Sequence, residues 1–125
     1  MKNFFYRLVG FNRRKAERYR VEDLELSLVG KNERENVRVD DLSVEGISFT
    51  YIDSGEPLET VVEMELAAGR DFKLGRVKAK LVADTLVADD LTKMTSIRRF
   101  SGRFINISAT QLFDLREFLK HHGIG

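Results

Sequence analysis

The sequence predicts an all-β fold, a small antiparallel barrel or sandwich of about six strands with one α-helix at its C-terminal end. Apolar and polar residues alternate with a period of two in successive segments from residue 21 to residue 107, which is typical of half-buried strands. From residue 108 the apolar residues recur at helical spacing instead. The chain has 125 residues, 42% hydrophobic and 33% charged, which suffices for one domain with one hydrophobic core.

The first three predicted strands are separated by polar turns. Leucines alternate with polar residues in 24–28, and the sequence GKNERE at 30–35 then predicts a turn. A second strand begins at Val37, and a third covers ISFTYI at 47–52. The sequence DSGEP at 53–57 contains the single proline of the chain and has the composition of a loop.

The later predicted strands include one long run. TVVEMEL at 60–66 alternates, and FKLGRVKAKLVA at 72–83 follows it. Within this run the apolar positions change from even to odd numbers across Gly75, which predicts a β-bulge that bends the strand. A polar loop at 88–96 then leads to the last strand, SIRRFSGRFINI at 96–107.

The final segment predicts the helix. Ser108 and Gln111 have the spacing of a capping box, in which each side chain bonds the backbone amide of the other residue. Apolar residues follow at helical spacing, at positions 112, 115, 118 and 119. Gly123 is placed to end the helix.

The charge distribution divides the chain into an arm and a barrel domain. Residues 1–20 carry a net charge of +6, although the whole chain carries only +1. We therefore expect residues 1–19 to form a flexible basic arm and residues 20–122 to form a barrel domain that ends in a helix at 108–122. Such an arm attracts phosphates at long range, or it pairs with the acidic body of its own chain. The apolar segment 4–11 packs on the barrel, or it serves as a dimer contact or partner site.

The composition argues against several classes of function. The chain has no cysteine, which excludes disulfides, thiolate nucleophiles and thiolate metal sites. Its only histidines, His121 and His122, are helical neighbours that point about 100° apart and are poor joint metal ligands. No phosphate-loop or metalloprotease motif occurs, so we expect no enzyme activity, no metal and no cofactor. No apolar run approaches the roughly 18 residues of a membrane span, and no secretory signal is visible, so we expect a cytoplasmic protein.

Two short motifs point to an anionic ligand that contains guanine. Arg14 and Arg18 are spaced to reach one ligand, and arginine grips phosphates, carboxylates and the O6 and N7 edge of guanine. In DLSVEG at 41–46, Asp41 and Ser43 share one face of an extended segment, and an aspartate can accept hydrogen bonds from the N1 and N2 donors of guanine. Gly46 permits a positive φ or the close approach of a ligand. The same residue types also suit a plain turn between two strands.

Together, RKAER at 14–18 and DLSVEG at 41–46 resemble the signature of PilZ domains. That signature is Arg-x-x-x-Arg before the first barrel strand, followed by Asp-x-Ser-x-x-Gly between the second and third strands. The resemblance covers most of the chain, including the closing strand and helix. It implies a six-stranded antiparallel PilZ-like barrel that binds the bacterial second messenger cyclic dimeric guanosine monophosphate, here called cyclic di-GMP.

The resemblance also implies a role for each residue of the two motifs. Arg14 holds a guanine acceptor edge, and Arg18 holds a phosphate. Asp41 accepts from the N1 and N2 donors of a guanine. Ser43 bonds the ligand near a phosphate, and Gly46 keeps the turn open.

Arg13 directly precedes the first motif, which resembles those family members that take up a stacked pair of ligand molecules. The expected function is therefore that of a cyclic di-GMP receptor whose arm folds over the ligand and signals to a protein partner that the sequence does not identify. One alternative is a PilZ-fold protein-interaction module without a ligand. The other is a binder of single-stranded nucleic acid through the basic arm. Nucleic acid is disfavoured because the charge outside the arm is negative and no stripe of aromatic and basic residues is visible.

Overall fold

A computed structural model of the chain describes residues 24–34, 36–70 and 72–122. These residues form six strands, a short 3-10 turn at Gly30–Asn32 and one helix, in the order expected from the sequence. The strands are β1 (Leu24–Leu28), β2 (Arg38–Leu42), β3 (Gly46–Asp53), β4 (Val61–Ala68), β5 (Phe72–Asp90) and β6 (Thr95–Ile105), and the helix is α1 (Ala109–His122).

All six strands belong to one antiparallel sheet with the order β1-β4-β5-β6-β3-β2. The sheet curls so that its two edge strands, β1 and β2, approach each other within 8 Å between Cα atoms. The result is a half-barrel, and it confirms the all-β fold with a C-terminal helix that the sequence predicts.

One face of each strand lines the core, as the period-two pattern requires. In β3 these residues are Ile47, Phe49 and Tyr51, all fully buried. Helix α1 covers the beginning of β5, where the rings of Phe118 and Phe72 stack with centroids 4.1 Å apart. The remaining buried apolar residues of the core are Leu28, Leu42, Val62, Met64, Leu66, Leu74, Val77, Ala79, Phe100, Leu115 and Leu119.

Two local predictions from the sequence are confirmed. A register shift separates Met64↔Val77 from Leu66↔Leu74, so β5 has its bulge at Gly75 and the residue after it. Arg76, the second residue of this bulge, has a positive φ angle of 48°. The capping box is also present, because Ser108 and Gln111 exchange two hydrogen bonds of 3.0 Å.

The predicted loop at 88–96 is wrong. Strand β5 continues to Asp90 and β6 begins at Thr95, so only residues 91–94 form the turn. Beyond Lys80 the pairing of β5 with β4 ends, and among the described residues the outer part of β5 pairs with β6 alone. The tip of this hairpin arm therefore lies outside the core, with Leu86, Val87 and Asp89 all exposed, and its sequence lacks the period-two pattern of a half-buried strand. Among the residues that the structure describes, no helix is both long and apolar enough to cross a membrane.

Candidate ligand-binding face

The Asp-x-Ser-x-x-Gly motif lies at the tight turn between β2 and β3. The Ser43 amide donates to the Gly46 carbonyl at 2.9 Å, which closes the turn. The Ser43 hydroxyl oxygen accepts hydrogen bonds from the amides of Glu45 at 3.0 Å and Gly46 at 3.2 Å. Ser43 is only 5% exposed. It therefore fixes the turn, and its hydroxyl oxygen has two backbone donors without any ligand.

A β-bulge in β2 determines the direction of Asp41. The register runs Val39↔Phe49 and then Asp41↔Ser48, so Asp40 is the extra residue. Because of this insertion, Asp41 shares the face of Ser48, and the next residue enters the core. We call this face of the sheet, which carries Ser48 and Thr50 and lies opposite the core, the outer face.

Asp40 lies on the outer face as well. Its carboxylate accepts a hydrogen bond of 2.6 Å from the Thr50 hydroxyl and one of 3.3 Å from Arg99 Nε. Neighbouring residues of a regular strand point to opposite faces. The bulge instead places both acids, Asp40 and Asp41, on one face.

Gly46 is required by a close approach between strands. A Cβ atom at this position would lie 2.2 Å from the Gly102 carbonyl oxygen and 3.2 Å from the Arg103 Cα atom. The φ angle of Gly46 is not positive. The glycine therefore lets β3 pack against β6, and it is not the left-handed turn residue that the sequence permits.

Small polar residues lie beside Asp41 on the outer face. Asp41 is opposite Ser48, and Ser48 is opposite Ser101 on β6. The two serine hydroxyls are 3.1 Å apart and hydrogen-bonded. Both serines are almost fully buried, at 2% and 0% exposure. Together with Gly46 they form a buried floor of small residues beneath the outer face, beside Asp41 in the strand register.

Cationic residues flank this floor on two sides. Arg99 lies next to it through the register pair Thr50↔Arg99. On the other side, Gly46 is opposite Arg103, which in turn is opposite Lys80 on β5. Like charges directly opposite each other in a sheet are unfavourable. Neither Arg103 nor Lys80 has an ion pair with any residue that the structure describes. The outer face is therefore suited to an anion.

The predicted site residues divide into two groups. Asp41, Ser43 and Gly46 come together at one turn, whereas Arg13, Arg14 and Arg18 lie outside the described residues. The sequence motifs do not include the polar residues of the floor or the cations on β5 and β6. In the sequence these residues appear only as the polar positions of the alternating pattern in 46–50 and 99–103. Those positions identify a site only once the strand pairing is known.

A second polar cluster closes the core side of the sheet near the hairpin arm. The Tyr51 hydroxyl donates to Asp84 Oδ2 at 2.7 Å, and Arg98 Nε donates to Asp84 Oδ1 at 2.9 Å. Burial, followed by the hydrogen bond with Asp84, raises the pKa of Tyr51 well above its ordinary value. The same carboxylate raises the pKa of Arg98. The cluster is internally satisfied and offers no free group for chemistry.

In the part of the chain that the structure describes, no group of three or more His, Asp or Glu residues is arranged to hold a metal ion. His121 Nε2 lies 3.7 Å from Glu117 Oε1 at the end of α1, which is an exposed helix-surface pair.

No protein-family model matches the chain, and no curated protein matches it in sequence. Among solved structures, the chain is similar to the PilZ domain with c-di-GMP of YcgR from Escherichia coli. The TM-score is 0.61 with 20% sequence identity, over 86% of this chain and 89% of that chain. The half-barrel is therefore a PilZ-like fold, as the resemblance of the motifs implies.

Proposed function

We propose that this chain is a receptor for cyclic di-GMP and acts as a bacterial, cytoplasmic adaptor without catalytic activity. One observation carries the proposal: on a PilZ-like fold, the bulge in β2 directs Asp41 of the Asp-x-Ser-x-x-Gly motif onto an outer face with a small polar floor, beside Arg103 and Lys80, which have no ion pair among the described residues. Cyclic di-GMP contains two guanines and two phosphates, so it can use an acidic acceptor and cations at the same time.

The described residues support a division of labour at this face. We assign to Asp41 the hydrogen bonds from guanine N1 and N2, since a carboxylate can accept two parallel donors. The Ser43 hydroxyl proton is available for a phosphate oxygen, because the two turn amides occupy only the lone pairs of its oxygen. Gly46 acts indirectly by keeping β3 and β6 close together.

We assign the remaining ligand contacts to the basic arm. Arg14 would hold the guanine acceptor edge, Arg18 a phosphate, and Arg13 a second, stacked ligand molecule. Each charge-assisted hydrogen bond contributes about 1.5–3 kcal/mol, which can offset the entropy lost when the arm orders over the ligand. The ordered arm would present a new surface to a protein partner.

Calorimetric titration with cyclic di-GMP tests this function. We expect the wild-type chain to bind with a Kd in the micromolar range or tighter, and Arg14→Ala and Asp41→Ala to lose binding. Asp89→Ala is the matched control, because Asp89 is exposed on the hairpin arm and should leave affinity unchanged. A stoichiometry of two ligands per chain that falls to one in Arg13→Ala would support the stacked pair.

The same titration distinguishes the alternatives. No heat at high ligand concentration would refute the receptor function and favour a ligand-free interaction module. A titration with a fluorescent single-stranded oligonucleotide examines the remaining candidate. Tight, salt-sensitive oligonucleotide binding without cyclic di-GMP binding would replace the proposed function with nucleic-acid binding.

A further inference from the structure

We propose that Asp40 is a positioning residue, which holds Asp41 in its ligand-facing direction through Thr50 and Arg99. This inference rests on the proposed function of the outer face. It concerns a residue that directly precedes the Asp-x-Ser-x-x-Gly motif and is not part of it.

The Asp40 carboxylate joins three strands. It accepts from Thr50 on β3 at 2.6 Å and from Arg99 on β6 at 3.3 Å, while its own backbone is the bulge of β2. Its side chain is 18% exposed, so these bonds are partly shielded from water. Arg38 adds only a distant contact of 3.6 Å and is itself 76% exposed, so we assign it no role.

The bulge needs such an anchor because β2 is a sheet edge. Within the described residues, β2 is five residues long and forms a ladder only with β3, so no second strand is hydrogen-bonded to the extra residue. Burial of Leu42 favours the register of the strand, since slipping by one residue would move this leucine out of the core. The Asp40 carboxylate adds two further contacts, with Thr50 and Arg99, at the inserted residue itself.

The consequence for binding is a population effect. If Asp41 faces the ligand in only a fraction of molecules, the apparent affinity falls by that fraction. Removal of the Asp40 carboxylate should therefore weaken ligand binding even though Asp40 itself touches no ligand atom. We expect the affinity for cyclic di-GMP to fall by about tenfold in Asp40→Ala, which corresponds to Asp41 facing the ligand in about one molecule in ten. Asp40→Asn, which keeps an acceptor for Thr50, should recover part of that loss.

The experiment combines calorimetry with NMR on the full chain. Cyclic di-GMP affinity is measured for the wild type, Asp40→Ala and Asp40→Asn, with Asp89→Ala as the control for removal of an exposed aspartate. Proton NOEs between Asp41 and Ser48 are recorded for each free protein, together with the melting temperature. The proposal expects weakened affinity, weakened NOEs between these two residues and intact core NOEs in Asp40→Ala.

Three results would overturn it. Wild-type affinity in Asp40→Ala shows that the carboxylate is dispensable. Lost affinity with unchanged Asp41–Ser48 NOEs shows that Asp40 contacts the ligand directly. Lost affinity in Arg99→Gln but not in Asp40→Ala shows that Arg99 is the ligand contact. If the wild type binds no cyclic di-GMP, the proposed function fails, and the NOEs of the free proteins still decide whether Asp40 holds Asp41 in place.

Discussion

Replacement of Gly46 by alanine separates the structural role of the motif glycine from any contact with ligand. The added Cβ would lie 2.2 Å from the Gly102 carbonyl oxygen, and it needs at least 3.0 Å. The backbone must therefore move by about 0.8 Å, because the atoms nearest to the added Cβ belong to the backbone of Gly102 and Arg103 and not to a flexible side chain. Both residues lie within the paired ladder of β3 and β6, so this movement strains interstrand hydrogen bonds.

The size of the effect follows from two opposing contributions. Overpacking usually costs about 1–3 kcal/mol, and a backbone clash lies at the upper end of that range. Alanine also stabilises the folded state by about 0.5–1 kcal/mol, because a chain with alanine at this position loses less conformational entropy on folding than a chain with glycine. We expect Gly46→Ala to lower the free energy of unfolding by about 2 kcal/mol, which lowers the Tm by roughly 8 °C in a domain of this size.

Urea denaturation followed by far-UV circular dichroism, without ligand, measures the change. Gly75→Ala is the matched control, since no atom lies within 4 Å of its added Cβ and its φ is not positive. The control should be unchanged or more stable by up to about 1 kcal/mol. If Gly46→Ala stays within about 0.5 kcal/mol of the wild type, or if both variants lose equal stability, the close-approach argument is refuted.

Three further predictions concern the pH dependence, the helix and the charged face. Tyr51 has a raised pKa in the folded state, so the free energy of unfolding should fall as the pH rises above about 10, and Tyr51→Phe should reduce that slope in urea titrations between pH 9 and 11. Ser108→Ala removes the helix cap and should cost about 1 kcal/mol in the same denaturation assay, whereas no change would make the cap irrelevant. Arg103→Gln and Lys80→Gln should each weaken cyclic di-GMP binding by about two- to fivefold and reduce its salt dependence, unlike the control Lys73→Gln.

The strands were predictable where burial on one face is regular. The alternation in 24–28 and 60–66 reflects half-buried strands, and the change of parity at Gly75 correctly indicates a bulge. The prediction fails at 88–90 because the hairpin arm extends past β4. Without a buried face the period-two signal disappears, although the pairing with β6 persists.

The candidate site was predictable only where it is local in sequence. The turn of 43–46 is closed by its own residues, so its composition reveals it. The roles of Asp40 and Gly46 depend on partners more than 50 residues away, Arg99 and Gly102. No local pattern contains that information, because it arises from the pairing of β3 with β6.

The strand order also determines when this face comes into existence. Strands β4, β5 and β6 follow one another and pair locally, as do β2 and β3, so two separate hairpin units can form from nearby chain. The outer face spans the seam between these units, and its β3–β6 pairing closes a loop of roughly 40 residues, which is a slow step in folding. A chain in which these two units have not yet paired therefore lacks the face. The proposed binding of cyclic di-GMP would accordingly require a completed fold, and partly folded copies would not respond to the ligand.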